Sequence, residues 1–351
     1  MDLSDIRKKI NTIDFEILKL LNSRMEYALR TKKFKTAITD EKRESEVVEY
    51  IRKHSQGLIE PEFCEGLFWQ IIGESKRLQG EALKLIGFQG EHGSFSEVAA
   101  TLFNPGLICI SCDENREVFE AVDSGLLHYG AVPVENTLGE TVPDANEFLV
   151  DRELQISGEV KLPIRYCLLA LPETNPREIR VVYSSRHALS HCQNFLAEHG
   201  LEGRPYYDAA GAAKMLLRER PKGSAAIASR FAAEFYNLAI LGEAVEDHHN
   251  NITRFLMLSK SDGGKEGNKC SIVFSTEHKA GALFRVLKEF AGEDINLTRI
   301  ESVLKRDDPG NYLFFVDFHG SIQDEVVGRA LERVRKMTPL FKFLGCYPEA
   351  T

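Results

Sequence analysis

Near the start of the chain, apolar residues recur at Leu3, Ile6, Ile10, Ile13, Ile17, Leu20 and Leu21. This three-and-four spacing fits an amphipathic helix and no strand. The pattern predicts one long helix from Asp2 to about Ile38, then two shorter ones over Asp40 to His54 and Glu62 to Ala82. Gly57 marks the stop of the second, and Pro61 suits the first turn of the third. Two short helices cover a stripe of that length only in part, so residues 1–84 are expected to form an all-α, intertwined dimer domain.

From Leu85 onward, short apolar runs alternate with helical stretches, which is the pattern of an α/β domain. Strands are predicted at Leu85–Gln89, Leu107–Ile110, Tyr129–Pro133, Tyr166–Leu171, Ile179–Tyr183 and Ala225–Ala228. Helices are predicted at Ser96–Phe103, Arg116–Ser124, Ala188–His199 and Ala209–Arg218. This domain is placed at residues 85–262. Gly263, Gly264 and Gly267 then form a short polar linker. Residues 263–351 read strand, helix, strand, strand, helix, strand, the order of an α+β ferredoxin-like domain. Its elements are expected at Cys270–Ser275, Gly281–Ala291, Ile295–Leu304, Tyr312–His319, Ile322–Lys336 and Phe341–Gly345.

A chain of 351 residues with 43% hydrophobic content has room for more than one core. The net charge of −9 argues against a nucleic-acid-binding surface. Residues 1–84 carry 16 Lys and Arg against 15 Asp and Glu, whereas the remainder carries 28 against 38, so the helical part is the electropositive end. Seven cysteines point to reduced thiols, and the lone C-x-x-C pair, Cys109 and Cys112, reads as two partly buried small hydrophobes. His248 and His249 have no third ligand at a convincing spacing and read as a loop pair, so no metal is expected. The opening Met-Asp-Leu-Ser-Asp has no export pattern and no run is long enough to span a bilayer, so the expected location is cytoplasmic, without membrane contact.

Eight polar residues stand out in the helical part: Arg7, Arg24, Lys35, Asp40, Arg43, Glu44, Ser75 and Gln79. On one continuous helix Arg24 and Lys35 lie within about 20° of each other around the axis, and Arg7 sits roughly 100° from Arg24. Arg7 therefore serves their site obliquely or reaches another, in a neighbouring subunit. Asp40, Arg43 and Glu44, like Ser75 and Gln79, are spaced to share a helix face. The cluster holds neither His nor Cys nor a nucleophile paired with a base, which argues against covalent catalysis. Cationic tips that hold a compact dianion in one conformation accelerate a unimolecular rearrangement by orientation and charge.

On these eight residues the segment resembles the all-helical chorismate mutases fused to bacterial prephenate dehydratases. The resemblance implies that Arg24, and Arg7 from a partner subunit, bind the substrate carboxylates. It implies that Lys35 and Gln79 donate to the ether oxygen, that Asp40 and Glu44 engage the hydroxyl, and that Arg43 and Ser75 complete the shell. The reaction implied is the Claisen rearrangement of chorismate to prephenate.

The second domain opens Gly87-Phe88-Gln89-Gly90-Glu91-His92-Gly93-Ser94, a strand entering a glycine turn before a helix, where backbone amides are suited to an anion. Two later strings, Val132-Pro133-Val134-Glu135-Asn136-Thr137 and Asn251-Ile252-Thr253-Arg254-Phe255, put polar residues at strand ends. These strings resemble the prephenate dehydratases, whose two lobes form a periplasmic-binding-like cleft. The resemblance implies a catalytic Thr253, with Glu135, Asn136, Thr137, Arg254 and Phe255 lining the cleft; on physical grounds, a guanidinium there suits a substrate carboxylate. The chain departs from the family's Ser-His-Pro-Gln string, having Ser184-Ser185-Arg186-His187, and places His191 before Cys192 where Gln is usual.

The last domain, with Gly281-Ala282-Leu283-Phe284 and Asn296-Leu297-Thr298-Arg299-Ile300-Glu301-Ser302, resembles ACT regulatory modules that bind phenylalanine at a dimer interface. The effector residues implied are Ala282, Leu283, Asn296, Leu297, Glu301 and Ser302, with free amides near Ala282 and Leu283 receiving a carboxylate. The departure is Val303-Leu304, where Arg-Pro usually follows Glu-Ser. The expectation is a bifunctional, cofactor-free enzyme converting chorismate through prephenate to phenylpyruvate under phenylalanine control, as a homodimer or higher oligomer. The alternatives are a monofunctional dehydratase for prephenate or arogenate with an inactive mutase part, and an amino-acid-sensing binding protein.

Overall fold

The computed structural model describes residues 2–35, 37–55, 57–138, 143–260, 266–304 and 312–350. Helix α1 (Leu3–Thr31) carries the long apolar stripe, but it stops at Thr31 and tightens into a 3₁₀ turn over Lys32–Phe34. It therefore ends well short of Ile38. The apolar spacing ends at Leu29, and Arg30, Lys32 and Lys33 offer no further packing face. Lys35 is extended, at φ −111° and ψ 140°, so its angular match to Arg24 does not apply. Helix α2 (Glu41–His54) starts after Asp40, whose Oδ1 accepts from the Arg43 amide at 3.0 Å. Helix α3 (Pro61–Gly80) begins on its proline. Leu29, Val48, Ile71 and Ile72 form the buried centre, while Ile6, Ile10, Ile13, Ile17 and Leu20 are between 41% and 70% exposed.

Residues 1–84 form one compact unit and residues 85–351 another. In the second, the first lobe is a five-stranded sheet built from β1 (Leu85–Gln89), β2 (Ile108–Cys112), β3 (Tyr129–Asn136), β4 (Gln155–Pro163) and the later β10 (Ile252–Ser259), in the order β2-β1-β3-β10-β4. Helices α4 (Phe95–Phe103), α5 (Asn115–Asp123) and α6 (Pro143–Asp151) accompany it. The second lobe is formed by β5 (Cys167–Ala170), β6 (Val181–Ser185), β7 (Glu202–Tyr206), β8 (Ser224–Ala228) and β9 (Ala239–Glu243), in the order β7-β6-β8-β5-β9. The chain crosses between the lobes twice, and the crossings bond to each other. The Ile164 amide donates to the Asn251 carbonyl at 2.8 Å, and the Tyr166 amide to Glu246 Oε2 at 2.9 Å.

The helix expected over Ala188–His199 is two helices, α7 (Arg186–Ser190) and α8 (Gln193–Glu198). Asp247 causes the break. Its amide takes the His191 carbonyl at 2.7 Å, and its carboxylate takes the Asn194 amide at 3.1 Å. Helices α9 (Ala209–Glu219) and α10 (Arg230–Tyr236) complete this lobe.

The last sheet holds β11 (Lys269–Ser275), β12 (Leu297–Leu304), β13 (Tyr312–His319) and β14 (Phe341–Tyr347), with α11 (Ala282–Ala291) and α12 (Glu325–Met337) between strands. The order β12-β13-β11-β14, antiparallel throughout, is the ferredoxin-like topology that the element order predicts. Phe274, Phe290, Phe318 and Val334 fill its core. The linker residues Gly263 and Gly264 lie outside the described residues. No helix among the described residues is long and apolar enough to cross a membrane.

Strand β14 packs against β4 of the first lobe at Gly345, which holds φ +148°. A Cβ there would lie 2.4 Å from the Ile156 carbonyl oxygen. Gly345→Ala adds backbone strain to this clash and is expected to destabilise the unit by about 2 kcal/mol or more. The measurement is the urea midpoint, and an unchanged midpoint would show that β14 does not depend on this approach.

Candidate active sites

In the helical unit, Arg24 of α1 meets Ser75 of α3, and Gln79 lies one turn further along α3. Arg24 Nη1 donates to Ser75 Oγ at 2.5 Å, and Ser75 Oγ lies 2.9 Å from the Ile71 carbonyl. Ser75 and Gln79 are buried, and Gln79 Oε1 is a buried acceptor with no partner. Partial burial lowers the pKa of Arg24. Such a guanidinium and an unused amide oxygen favour a polar ligand in this position. Glu44 Oε2 pairs with Lys76 Nζ at 2.9 Å, and its Oε1 accepts from the Asp40 amide at 3.3 Å. No spacing in the sequence points to Lys76, because its partner is 32 residues away on another helix.

Asp40 serves as the cap of α2, and Arg43 is exposed beside Glu46 at 3.5 Å. Lys35 and Arg7 are exposed. Arg7 lies 17 residues before Arg24 on α1, roughly 25 Å at the helical rise. One chain therefore does not bring Arg7 to the Arg24 site.

The two lobes enclose a cleft of about 520 Å³, a volume suited to a small metabolite. Thr253 and Phe255 line it from β10, Glu135 and Asn136 from β3, and Ser96 from α4, while His187 faces them from α7. Thr253 and Asn136 are register partners across β10 and β3. His187 is the one basic side chain among these lining residues. The sequence marked it as a departure from a motif but gave no reason to place it here. Its neighbour His191, at 4.2 Å between ring centroids, lies 3.1 Å from Asn251 Nδ2.

Thr137 and Arg254 are not among the lining residues. The Thr137 hydroxyl closes the backbone at the lobe crossing, donating to the Asn250 carbonyl at 2.5 Å and accepting from the Ile252 amide at 3.0 Å. Alternation along β10 turns Arg254 away from the face that carries Thr253 and Phe255. Its Nε donates to Glu159 at 2.6 Å, and Nη1 donates to Glu135 at 2.9 Å and to Asp317 at 2.6 Å. Nη2 donates to the Tyr347 hydroxyl at 3.0 Å. Burial alone would lower the pKa of Arg254, but Asp317, Tyr347 and Glu159 more than offset it and raise it. Burial alone would raise the Asp317 carboxyl, which Arg254 and Arg299 hold below its ordinary value.

At the glycine turn after β1, four backbone amides are spent within the protein rather than on an anion. Those of Gly90 and Ser94 go to the Cys112 and Glu91 carbonyls, that of Gly93 to Glu97, and that of Glu91 to Asp208. The turn instead latches the lobes. Glu91 accepts from Lys214 at 2.8 Å and from the Tyr207 hydroxyl at 2.7 Å, both on the second lobe. Gly93 holds φ +89°, and a Cβ there would meet Ala232 Cα at 2.8 Å.

In the last sheet, Ala282 and Leu283 line a pocket of about 280 Å³ with His278, Tyr312 and Phe314. The Ala282 amide is not free, since it closes a turn onto the Lys279 carbonyl at 3.1 Å. Asn296, Leu297, Glu301 and Ser302 are not among this pocket's lining residues. The Asn296 carbonyl accepts from the His319 amide at 2.9 Å, and Glu301 is held by Arg299.

A helical unit with a part-buried arginine and an orphaned amide, carried on one chain with a two-lobed cleft, defines a two-site enzyme for small polar metabolites. Residues 6–80 match the chorismate mutase type II family, and residues 86–263 match the prephenate dehydratase family. The bifunctional chorismate mutase/prephenate dehydratase of Aquifex aeolicus is 32% identical, with 99% of this chain and 98% of that protein covered. Arogenate dehydratase/prephenate dehydratase 2 of Arabidopsis thaliana is 39% identical over 76% of this chain and 73% of its own length. A prephenate dehydratase of Arthrobacter aurescens, solved in complex with L-Phe, superposes with a TM-score of 0.70 at 29% identity, covering 76% of this chain and 90% of that one. The chain belongs to the bifunctional chorismate mutase/prephenate dehydratase family.

The latch generates a prediction about lobe closure. Burial would raise the pKa of Glu91, but the bonds from Lys214 and Tyr207 outweigh it and lower it. Its contribution is complete above the ordinary carboxylate pKa and is lost as pH falls through the lowered one. Lys214→Met is expected to loosen closure at neutral pH, seen as a larger radius of gyration in small-angle scattering. A radius equal to that of the parent chain would dismiss the latch.

Proposed function

We propose that this chain rearranges chorismate to prephenate in its helical unit and converts prephenate to phenylpyruvate in the two-lobed cleft. One observation carries the reading: a single chain holds both the Arg24–Ser75–Gln79 cluster and the Thr253 cleft, and a bifunctional relative matches it over 99% of its length. The first reaction is unimolecular. Arg24 supplies charge to a substrate carboxylate, and Gln79 and Lys35 supply hydrogen bonds to the ether oxygen as its bond to carbon breaks. The exposed apolar face of α1 and the distance of Arg7 from Arg24 support a homodimer in which each partner lends its Arg7 to the other.

The second reaction expels carbon dioxide and hydroxide together, and the aromatic ring formed drives it. The departing hydroxyl needs a proton or a donor, and Thr253 lies on the cleft wall beside Asn136. Facing them, His187 is placed to meet a substrate carboxylate. We take residues 85–262 as the dehydratase domain and residues 263–351 as an ACT-type domain that binds phenylalanine at a dimer interface, with the enzyme acting in the cytoplasm. The 39% identity to an arogenate dehydratase/prephenate dehydratase supports arogenate as a second substrate for the cleft.

The test supplies purified enzyme with chorismate, prephenate or arogenate and follows phenylpyruvate and phenylalanine, with and without added phenylalanine. Lys35→Ala is expected to cut mutase turnover roughly 10²-fold or more and leave the dehydratase intact. Thr253→Ala is expected to do the reverse, at roughly 10²- to 10⁴-fold. Loss of both activities from either change would refute two independent sites. His187→Ala is expected to raise the dehydratase KM about tenfold, the worth of one charge-assisted hydrogen bond. An unchanged KM would remove His187 from the substrate's contacts.

A further inference from the structure

Glu135 lines the cleft, yet neither of its oxygens is left to a ligand alone. Oε1 accepts from Arg254 at 2.9 Å, and Oε2 lies 2.9 Å from Arg299 Nε. Arg254 stands on the same strand as Thr253. Arg299 belongs to β12, in the last sheet of the chain. The Arg299 Nε makes no directed hydrogen bond, so its hold on Glu135 is the attraction of two charges at short range. Its Nη2 is meanwhile engaged by Glu301, two residues along β12.

We propose that Arg299 is a positioning residue of the dehydratase cleft, reaching it from the C-terminal sheet and acting through Glu135. The inference rests on the dehydratase reading of that cleft. A substrate with two carboxylates must enter a space whose wall carries a third. With two guanidiniums against it, that wall charge is offset; with Arg299 withdrawn, Glu135 keeps only Arg254, which Glu159 and Asp317 share, and the carboxylate repels the substrate. Arg299 therefore governs binding of the dianion more than the chemical step. Because Arg299 shares β12 with Leu297, Glu301 and Ser302, any ligand that shifts this strand changes the charge presented in the cleft. An effector of the last domain thereby has a physical route to KM.

Arg254 is a poor probe of this idea, since its removal strands Glu159 and Asp317 in the interior. Arg299 is the informative position. The experiment measures prephenate kinetics of the full chain carrying Arg299→Gln, Arg299→Lys, Glu135→Gln, and Arg299→Gln with Glu135→Gln together. Arg299→Gln is expected to raise KM tenfold or more with kcat within about threefold, and Arg299→Lys to recover most of the loss. In the Glu135→Gln background the same Arg299→Gln change is expected to move KM by less than about threefold, because the charge it offset is gone. Phenylalanine, if it inhibits the parent through this strand, is expected to have little further effect on KM in Arg299→Gln.

An Arg299→Gln enzyme with the parent's KM overturns the proposal. So does an equal loss in both backgrounds, which would make Arg299 only a docking residue of the last sheet. A parent chain that leaves prephenate intact overturns the reading of the cleft, and this inference with it.

Discussion

The guanidinium of Arg254 has to be neutralised where water does not reach, and the second unit is arranged around that requirement. Its partners come from three places: Glu135 and Glu159 from β3 and β4 on either side, and Asp317 with the Tyr347 hydroxyl from the last sheet. Lys269 in turn binds Glu159, and Ser271 binds Asp317. Removing one member of such a buried cluster leaves its partners unpaired, at a cost of about 3–5 kcal/mol. The first lobe and the last sheet are thus bound by mutual charge satisfaction as well as by apolar packing. A cleft strand and the last sheet share one set of ions.

The helical unit follows a different logic. Its own core is small, and its longest helix exposes the apolar stripe that the sequence marks most clearly. Ser75 and Gln79 are buried on α3 and Arg24 is part-buried on α1, while Arg7 stands far from Arg24 along α1. In the function proposed above, a second copy completes this unit, because the apolar face and the outlying arginine call for the same thing. In the cleft, by contrast, one chain supplies both walls, and the lobes are drawn together by Glu91.

Much of this was legible from the order of residues. The spacing of Ser75 and Gln79 on a helix face anticipated their convergence, and the strings around Asn136 and Thr253 anticipated two strand ends that meet. The failures have specific physical causes. Lys35 leaves the helix because the apolar period stops at Leu29, so an angle computed for a continuous helix does not hold. The resemblance gives Arg254 to the cleft, yet it is adjacent to Thr253 on one strand, and adjacent strand residues face opposite ways. The helix start offers the Ala282 amide as a free donor, but a turn closes onto it from Lys279. His187 was noticed only as an irregularity, since the break at Asp247 and the facing of the lobes, which bring it to the cleft, depend on a segment far away in the chain.

The sequence by itself determined the three helices of the first unit, most strands of the α/β part's core, the topology of the last sheet, and the kinds of residue available to each site. These follow from local periodicity and turn chemistry, which act within a few residues. Only the tertiary structure decided where the charges go: which cations remain for a ligand and which are spent on buried carboxylates. That outcome rests on pairings such as Arg254 with Asp317 and Arg299 with Glu135, across sheets, where burial sets the strength of each interaction and no spacing in the chain records it.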